Sequence, residues 1–232
     1  MQNIRTTARF AALFMLLTVI GGVFAQVYVS KGLIDFSDAA ATAGNISGHP
    51  DMLRLGFAVF MIEMACDVAK TALLYVILKP VNRSISLMAA FLALTGSVIK
   101  AMSRLFFIAP QIVLSGLPYL SAFTAEQLQA LSLVFLRLSN TGAGIALIFY
   151  GFSTPLTGYL IYRSNFLPRF LGILTIVCGV GWLTYLYQPL YHQLFPIVIG
   201  LALLGTAVTI SWLLLFAVDE TKWRAQAATG PL

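Results

Sequence analysis

Six runs along this chain reach or exceed the ~20 apolar residues that a membrane-spanning helix needs. They cover about 10–28, 55–78, 85–114, 128–162, 170–187 and 195–218. The third is broken near its end by Pro110, and the fourth holds Pro155. Inside a bilayer each backbone N–H and C=O must be paired within the protein, so isolated runs of this length are helices. Only 9% of the residues are charged, against ~25% in a typical soluble domain, too few to cover a water-facing surface. The chain is therefore expected to be all-α, a polytopic membrane protein forming a bundle of six transmembrane helices. A single integral-membrane domain should occupy residues 1–232, with no soluble domain left over.

The connections carry local signals. Between the first two runs, Asp35, Asp38, Asn45, Ser47, Gly48 and Pro50 mark a polar loop, and the Ala-rich stretch from Asp38 to Ile46 predicts a short surface helix. Thr124-Ala-Glu-Gln127 has the spacing of a capping box, which starts the fourth helix before it enters the bilayer. Residues 224–232 are small and polar, and read as a disordered tail.

Orientation follows from the basic residues. With the N-terminus inside, Arg5, Arg9, Lys79, Arg83, Arg163, Arg169, Lys222 and Arg224 fall in cytoplasmic segments, and only Lys31 and Arg54 fall outside. The other four of the fourteen lie within spans. This bias places both termini in the cytoplasm. The net charge of +6 is thus a topology signal, and nucleic acid is not expected as a partner; the lipid bilayer is. A rival reading takes Arg5 and Arg9, the apolar run and Val23-Phe24-Ala25 before Gln26 as a cleavable secretory signal. Cleavage would leave five spans. The apolar character continues to Tyr28, which favours a retained helix.

Six ionisable residues fall inside spans: Glu63, Asp67 and Lys70 in the second, Lys100 and Arg104 in the third, and Arg137 in the fourth. A charge at the bilayer centre costs ~2.5–3.5 kcal/mol on insertion scales, and such residues mark function by default. Glu63, Asp67 and Lys70 share one helical face, as do Lys100 and Arg104. Ala89, Ala93, Ser97 and Ala101 line the same side of span three, and Thr141, Gly144, Gly151, Pro155 and Gly158 that of span four. Small residues let helices approach closely, so the charges should point inward. Measured from the turn near Val81, Glu63 and Lys100 both stand ~24 Å up, Asp67 ~18 Å and Arg104 ~30 Å, with Arg137 near the outer surface. Lys70 should pair with Asp67. The functional reading is an outward-facing polar cavity for a small anionic or amphiphilic ligand. Lys100, Arg104 and Arg137 are its anion partners, and Glu63 and Asp67 its counter-charges or proton carriers. The plain alternative is a set of ion pairs that fixes helix register in a non-catalytic subunit or sensor, with Arg137 snorkelling to the headgroups.

Other signals are thin. His49 and His192 are expected in outer loops, but two histidines make a poor zinc site, and no metal or other cofactor is expected. Cys66 and Cys178 lie in separate apolar runs and read as free buried thiols. Tyr75-Val-Ile-Leu-Lys79 and Tyr159-Leu-Ile-Tyr-Arg163 are alike, which fits either a hairpin duplication or interface aromatics with basic anchors. No nucleophile–base grouping or phosphate loop is present, so no catalytic residue is expected and an intramembrane enzyme is the third option. Oligomeric state is not legible.

Gly158-Tyr-Leu-Ile-Tyr-Arg-Ser164, Leu167-Pro-Arg-Phe-Leu-Gly172, Leu78-Lys-Pro-Val-Asn-Arg83, Ala39-Ala-Ala-Thr-Ala-Gly-Asn45 and the surroundings of Asp67 together resemble a bacterial membrane-protein family, domain of unknown function 4386. The resemblance runs from Thr7 to about Phe216. It implies a retained first helix and a multi-pass protein of the bacterial inner (plasma) membrane, and it supplies no activity. The chain departs from the family pattern at Gly151-Phe-Ser153-Thr-Pro155, where a histidine commonly sits, and Lys100 and Arg104 stand where the family is mostly apolar.

Overall fold

The computed structural model describes residues 3–229, all of whose regular structure is helical. Helix α1 (Ile4–Val23) passes into a π-helical segment, Phe24–Ser30, and ends in α2 (Lys31–Leu33). Ser30 Oγ donates to the Ala25 carbonyl at 2.9 Å within that wider turn. Then follow α3 (Ala39–Gly48), α4 (Pro50–Leu78), α5 (Arg83–Val113), a 3-10 turn at Pro118–Ala122, and α6 (Ala125–Arg163). After α7 (Arg169–Leu183) and a 3-10 turn at Thr184–Leu186 come α8 (Gln188–Leu215) and α9 (Glu220–Thr229).

Five segments are long and apolar enough to cross a membrane: Ile4–Leu33, Arg83–Val113, Ala125–Arg163, Arg169–Leu186 and Gln188–Leu215. Many large apolar side chains on these helices stay exposed, Phe91, Met102, Ile173 and Leu204 among them. A soluble protein would not leave so much apolar surface uncovered, and the chain is a multi-pass helical membrane protein. Helix α4, the remaining long helix, has 29 residues, or ~44 Å. Its Glu63, Asp67 and Lys70, together with Asp51 and Arg54, make it more highly charged than those five.

Local chemistry sets two helix starts, the second as the sequence predicts. Asp38 caps α3 by accepting the Ala41 N–H at 2.9 Å. At α6 the Thr124 N–H donates to Gln127 Oε1 (2.9 Å) and the Gln127 N–H to Thr124 Oγ1 (3.3 Å), the reciprocal pairing of a capping box. Three expectations are corrected. Helix α5 runs through Pro110 to Val113 rather than breaking there. Helix α8 starts at Gln188, with Pro189 in its first turn where a missing N–H costs nothing, so His192 is helical and not in a loop. The segment expected to be disordered from residue 224 is helical to Thr229, and its last three residues lie outside those described. Tertiary bonds hold α9. Trp223 Nε1 donates to the Ile77 carbonyl at 2.8 Å, and the Asn165 N–H to Gln226 Oε1 at 3.2 Å. Arg224 Nη2 also pairs with Glu220 at 2.6 Å.

The described chain divides into two compact units. Unit 1 holds residues up to Leu17, Cys66–Ser97 and residues from Ile145 on. Its core is built from Ile4, Ala8, Ala11 and Ala12 of α1, Ile77 and Leu78, Leu160 and Ile161, Phe166, Leu171 and Leu213. Unit 2 holds Thr18–Ala65 and Val98–Gly144. There Ala25, Val29 and Leu33 recur every four residues and pack with Ile46, Leu53, Phe60, Phe107 and Leu136.

Candidate functional site

In unit 2, Glu63 on α4 is 3% exposed, and its Oε1 accepts Lys100 Nζ of α5 at 2.5 Å. Gly22 of α1 makes room for this carboxylate, since a methyl group there would sit 3.1 Å from Oε1. One turn beyond Lys100, Arg104 is 4% exposed. Its guanidinium carbon lies 3.7 Å from the centre of the Phe60 ring, close enough for a cation–π contact. Arg104 Nη1 donates to Ser139 Oγ of α6 at 3.4 Å. No carboxylate stands at ion-pair distance from Arg104 among the described residues, although Glu63 acts on it electrostatically. Two buried atoms are left without a hydrogen-bond partner among those residues: Glu63 Oε2, an acceptor, and Arg104 Nε, a donor. The Lys100 side chain keeps 20% of its surface exposed and forms the open edge of the cluster.

Unit 1 holds a second buried carboxylate. Asp67 Oδ1 accepts Lys70 Nζ. Its Oδ2 accepts Ser97 Oγ at 2.5 Å and the Tyr150 hydroxyl at 3.1 Å. Both ends of the carboxylate are therefore occupied. Gly96 permits this approach, because a methyl group there would meet the Tyr150 ring and the Ala146 carbonyl, each at 3.2 Å. The expected small-residue face of α5 is used in the same unit, where Ser153 Oγ donates to the Ala89 carbonyl at 2.7 Å.

The pairings Glu63–Lys100 and Asp67–Lys70 stand as the sequence predicts. Arg137 is not drawn into a buried cluster. It is exposed, and Nη2 donates to the Phe36 carbonyl at 2.6 Å, with the Phe36 ring 5.6 Å away. Phe60, Ser139, Gly22 and Tyr150 were not singled out from the sequence. A tyrosine or serine in the middle of an apolar run is a usable signal, whereas Phe60 and Gly22 give none. A cavity of about 320 Å³ lies in unit 1, lined by Asn3, Thr6, Thr7, Phe10, Phe14 and Leu73; none of the six candidate charges lines it. His49 Nδ1 lies 3.2 Å from the Asn45 carbonyl, and the His192 ring packs edge-on to Tyr191. No group of three or more metal-ligating side chains occurs among the described residues.

No curated protein and no solved structure matches this chain. A family model described as Domain of unknown function (DUF4386) matches residues 10–217, through all the helices that carry these charges, and the chain belongs to that family.

Proposed function

We propose that this chain is a six-span protein of the bacterial inner membrane that binds a small anion at Lys100 and Arg104, with Glu63 as the counter-charge. Helix α4 is the sixth span: its length exceeds the ~30 Å hydrocarbon core, and its charges are paired. The distribution of Lys and Arg supports cytoplasmic termini, with the outer half of the bundle holding the site. Impermeant maleimide applied from outside, in a background without Cys66 and Cys178, should modify Gly48→Cys and spare Ser84→Cys. Both positions are exposed, and a side chain at 48 meets open space. Labelling of both, or of position 84 alone, overturns the six-span topology.

The observation that carries the ligand reading is Arg104. Among the described residues it is a buried cation with no ion-pair partner and an unbonded Nε, in a cluster of two cations and one anion. An unpaired buried charge is costly, and an anion of matching size removes that cost. Asp67 and Lys70, whose groups satisfy one another, fit the structural alternative and are not assigned to the ligand. With the full chain in detergent, sodium acetate should raise the unfolding temperature saturably at constant ionic strength. Arg104→Met should abolish that rise. A wild-type response that is absent, or that persists in Arg104→Met, removes the anion site.

A further inference from the structure

The two unpartnered atoms have opposite polarity, and resting on the anion reading above, this narrows the ligand class. Arg104 presents its guanidinium in three directions. One flat face lies against Phe60, and Nη1 reaches Ser139. Nε belongs to the other edge of the fork, the edge that meets carboxylates with two parallel hydrogen bonds. On that edge Nε is buried and has no hydrogen-bond partner among the described residues. A spherical ion such as chloride would satisfy the charge without using the fork. A planar oxyanion uses both.

Glu63 Oε2 sets the second condition. It is an acceptor, buried and unbonded, while its sister Oε1 is held by Lys100. A plain carboxylate ligand has acceptors only and would leave Oε2 unsatisfied and facing like charge. The pair of orphans is satisfied together by a ligand that accepts at one end and donates at the other. The donor should be neutral, because an ammonium group would meet Lys100 and Arg104. The Phe60 ring under Arg104 is an apolar neighbour of the cluster, and the burial of both orphan atoms limits the ligand to a small one.

We infer that the unit 2 cluster recognises a small planar oxyanion carrying its own O–H: the fork of Arg104 takes the oxyanion and Glu63 Oε2 accepts the hydroxyl. Two sources share this chemistry, a short 2-hydroxy acid and a protonated oxyanion of the bicarbonate kind.

The test compares four sodium salts on the purified full chain in detergent, by saturable shift of the unfolding temperature at fixed pH and ionic strength: glycolate, bicarbonate, acetate and chloride. A hydrogen bond to a charged acceptor corresponds to about tenfold or more in affinity. Glycolate or bicarbonate should therefore bind about tenfold or more tightly than acetate, and whichever arm wins identifies the source. Acetate should in turn exceed chloride. The double variant Glu63→Met/Lys100→Met keeps Arg104, so it should still respond to acetate and lose the preference for the hydroxylated anion. Equal binding of glycolate, bicarbonate and acetate overturns the inference and leaves the anion site standing. No response to any salt removes both, with the two orphan atoms then bridged by water. The wild-type comparison decides the matter even if the double variant does not fold.

Discussion

Helix α4 carries two buried carboxylates one turn apart, and they have opposite fates. Asp67 in unit 1 has donors on both oxygens: Lys70 on one, Ser97 and Tyr150 on the other. Glu63 in unit 2 has Lys100 on one oxygen and, among the described residues, no hydrogen-bond partner on the other, beside an arginine with an unbonded nitrogen. Residue type does not separate them, since each is an acid with a lysine. The neighbours do. Around Asp67 the facing helices supply neutral hydroxyls, which satisfy a carboxylate without adding charge. Around Glu63 they supply a second cation, which leaves the cluster unbalanced. A closed cluster holds helices together; an open one costs stability, and that cost can be recovered on binding.

The largest effect expected from this contrast lies at Glu63. Glu63→Met leaves Lys100 and Arg104 both uncompensated, and breaking such a pair costs ~3–5 kcal/mol. Lys100→Met should cost less, because Arg104 still faces the remaining carboxylate. The double variant should recover much of the loss, read as thermal unfolding in detergent. Two silent single changes, or losses that simply add, would show that Glu63 and Lys100 are not a coupled pair.

A smaller effect sets the clusters directly against each other. Asp67→Asn removes the charge to which Lys70, Ser97 and Tyr150 donate, and should cost ~1.5–3 kcal/mol. Arg104→Met removes a buried cation that has no ion-pair partner among the described residues, and should stay within ~1 kcal/mol of wild type or stabilise the chain, as apolar replacement of buried charge often does. If the two variants lose equal stability, the distinction between closed and open clusters is gone.

The smallest effect asks whether the satisfied hydrogen bonding of unit 1 extends to its C-terminal helix. Asp219 Oδ1 accepts the Lys222 N–H at 3.1 Å, and this backbone bond is the main reason its carboxyl is held below the ordinary 3.8. A group lowered on folding contributes above its unfolded value and loses that contribution as pH falls through the folded one. Protection of the α9 amides, measured against their intrinsic exchange rates, should therefore be high at neutral pH and fall as pH drops below 3.8. Asp219→Ala should be weakly protected at both, and a wild-type protection that does not change with pH would count against the cap.

The apolar runs alone determined that this is a helical membrane protein, because lipid offers no partner to a backbone and so length and hydropathy suffice. The capping box at Thr124 was legible for a similar reason: a short side chain can satisfy an N–H only a few residues away. Helical spacing also put Lys70 one turn from Asp67, and it put Glu63 and Lys100 at one height, since two helices joined by a short turn keep a common height scale. Periodicity places residues on a face but does not say what stands opposite it. The hydroxyl of Tyr150 on Asp67, the ring of Phe60 under Arg104 and the withdrawal of Arg137 to the Phe36 carbonyl each depend on how a distant helix is rotated. Helix α9 is the same case at the C-terminus. Its residues favour a helix but are too few to hold one alone, and Trp223 reaching the Ile77 carbonyl at the end of α4 is a bond that only the tertiary fold could create.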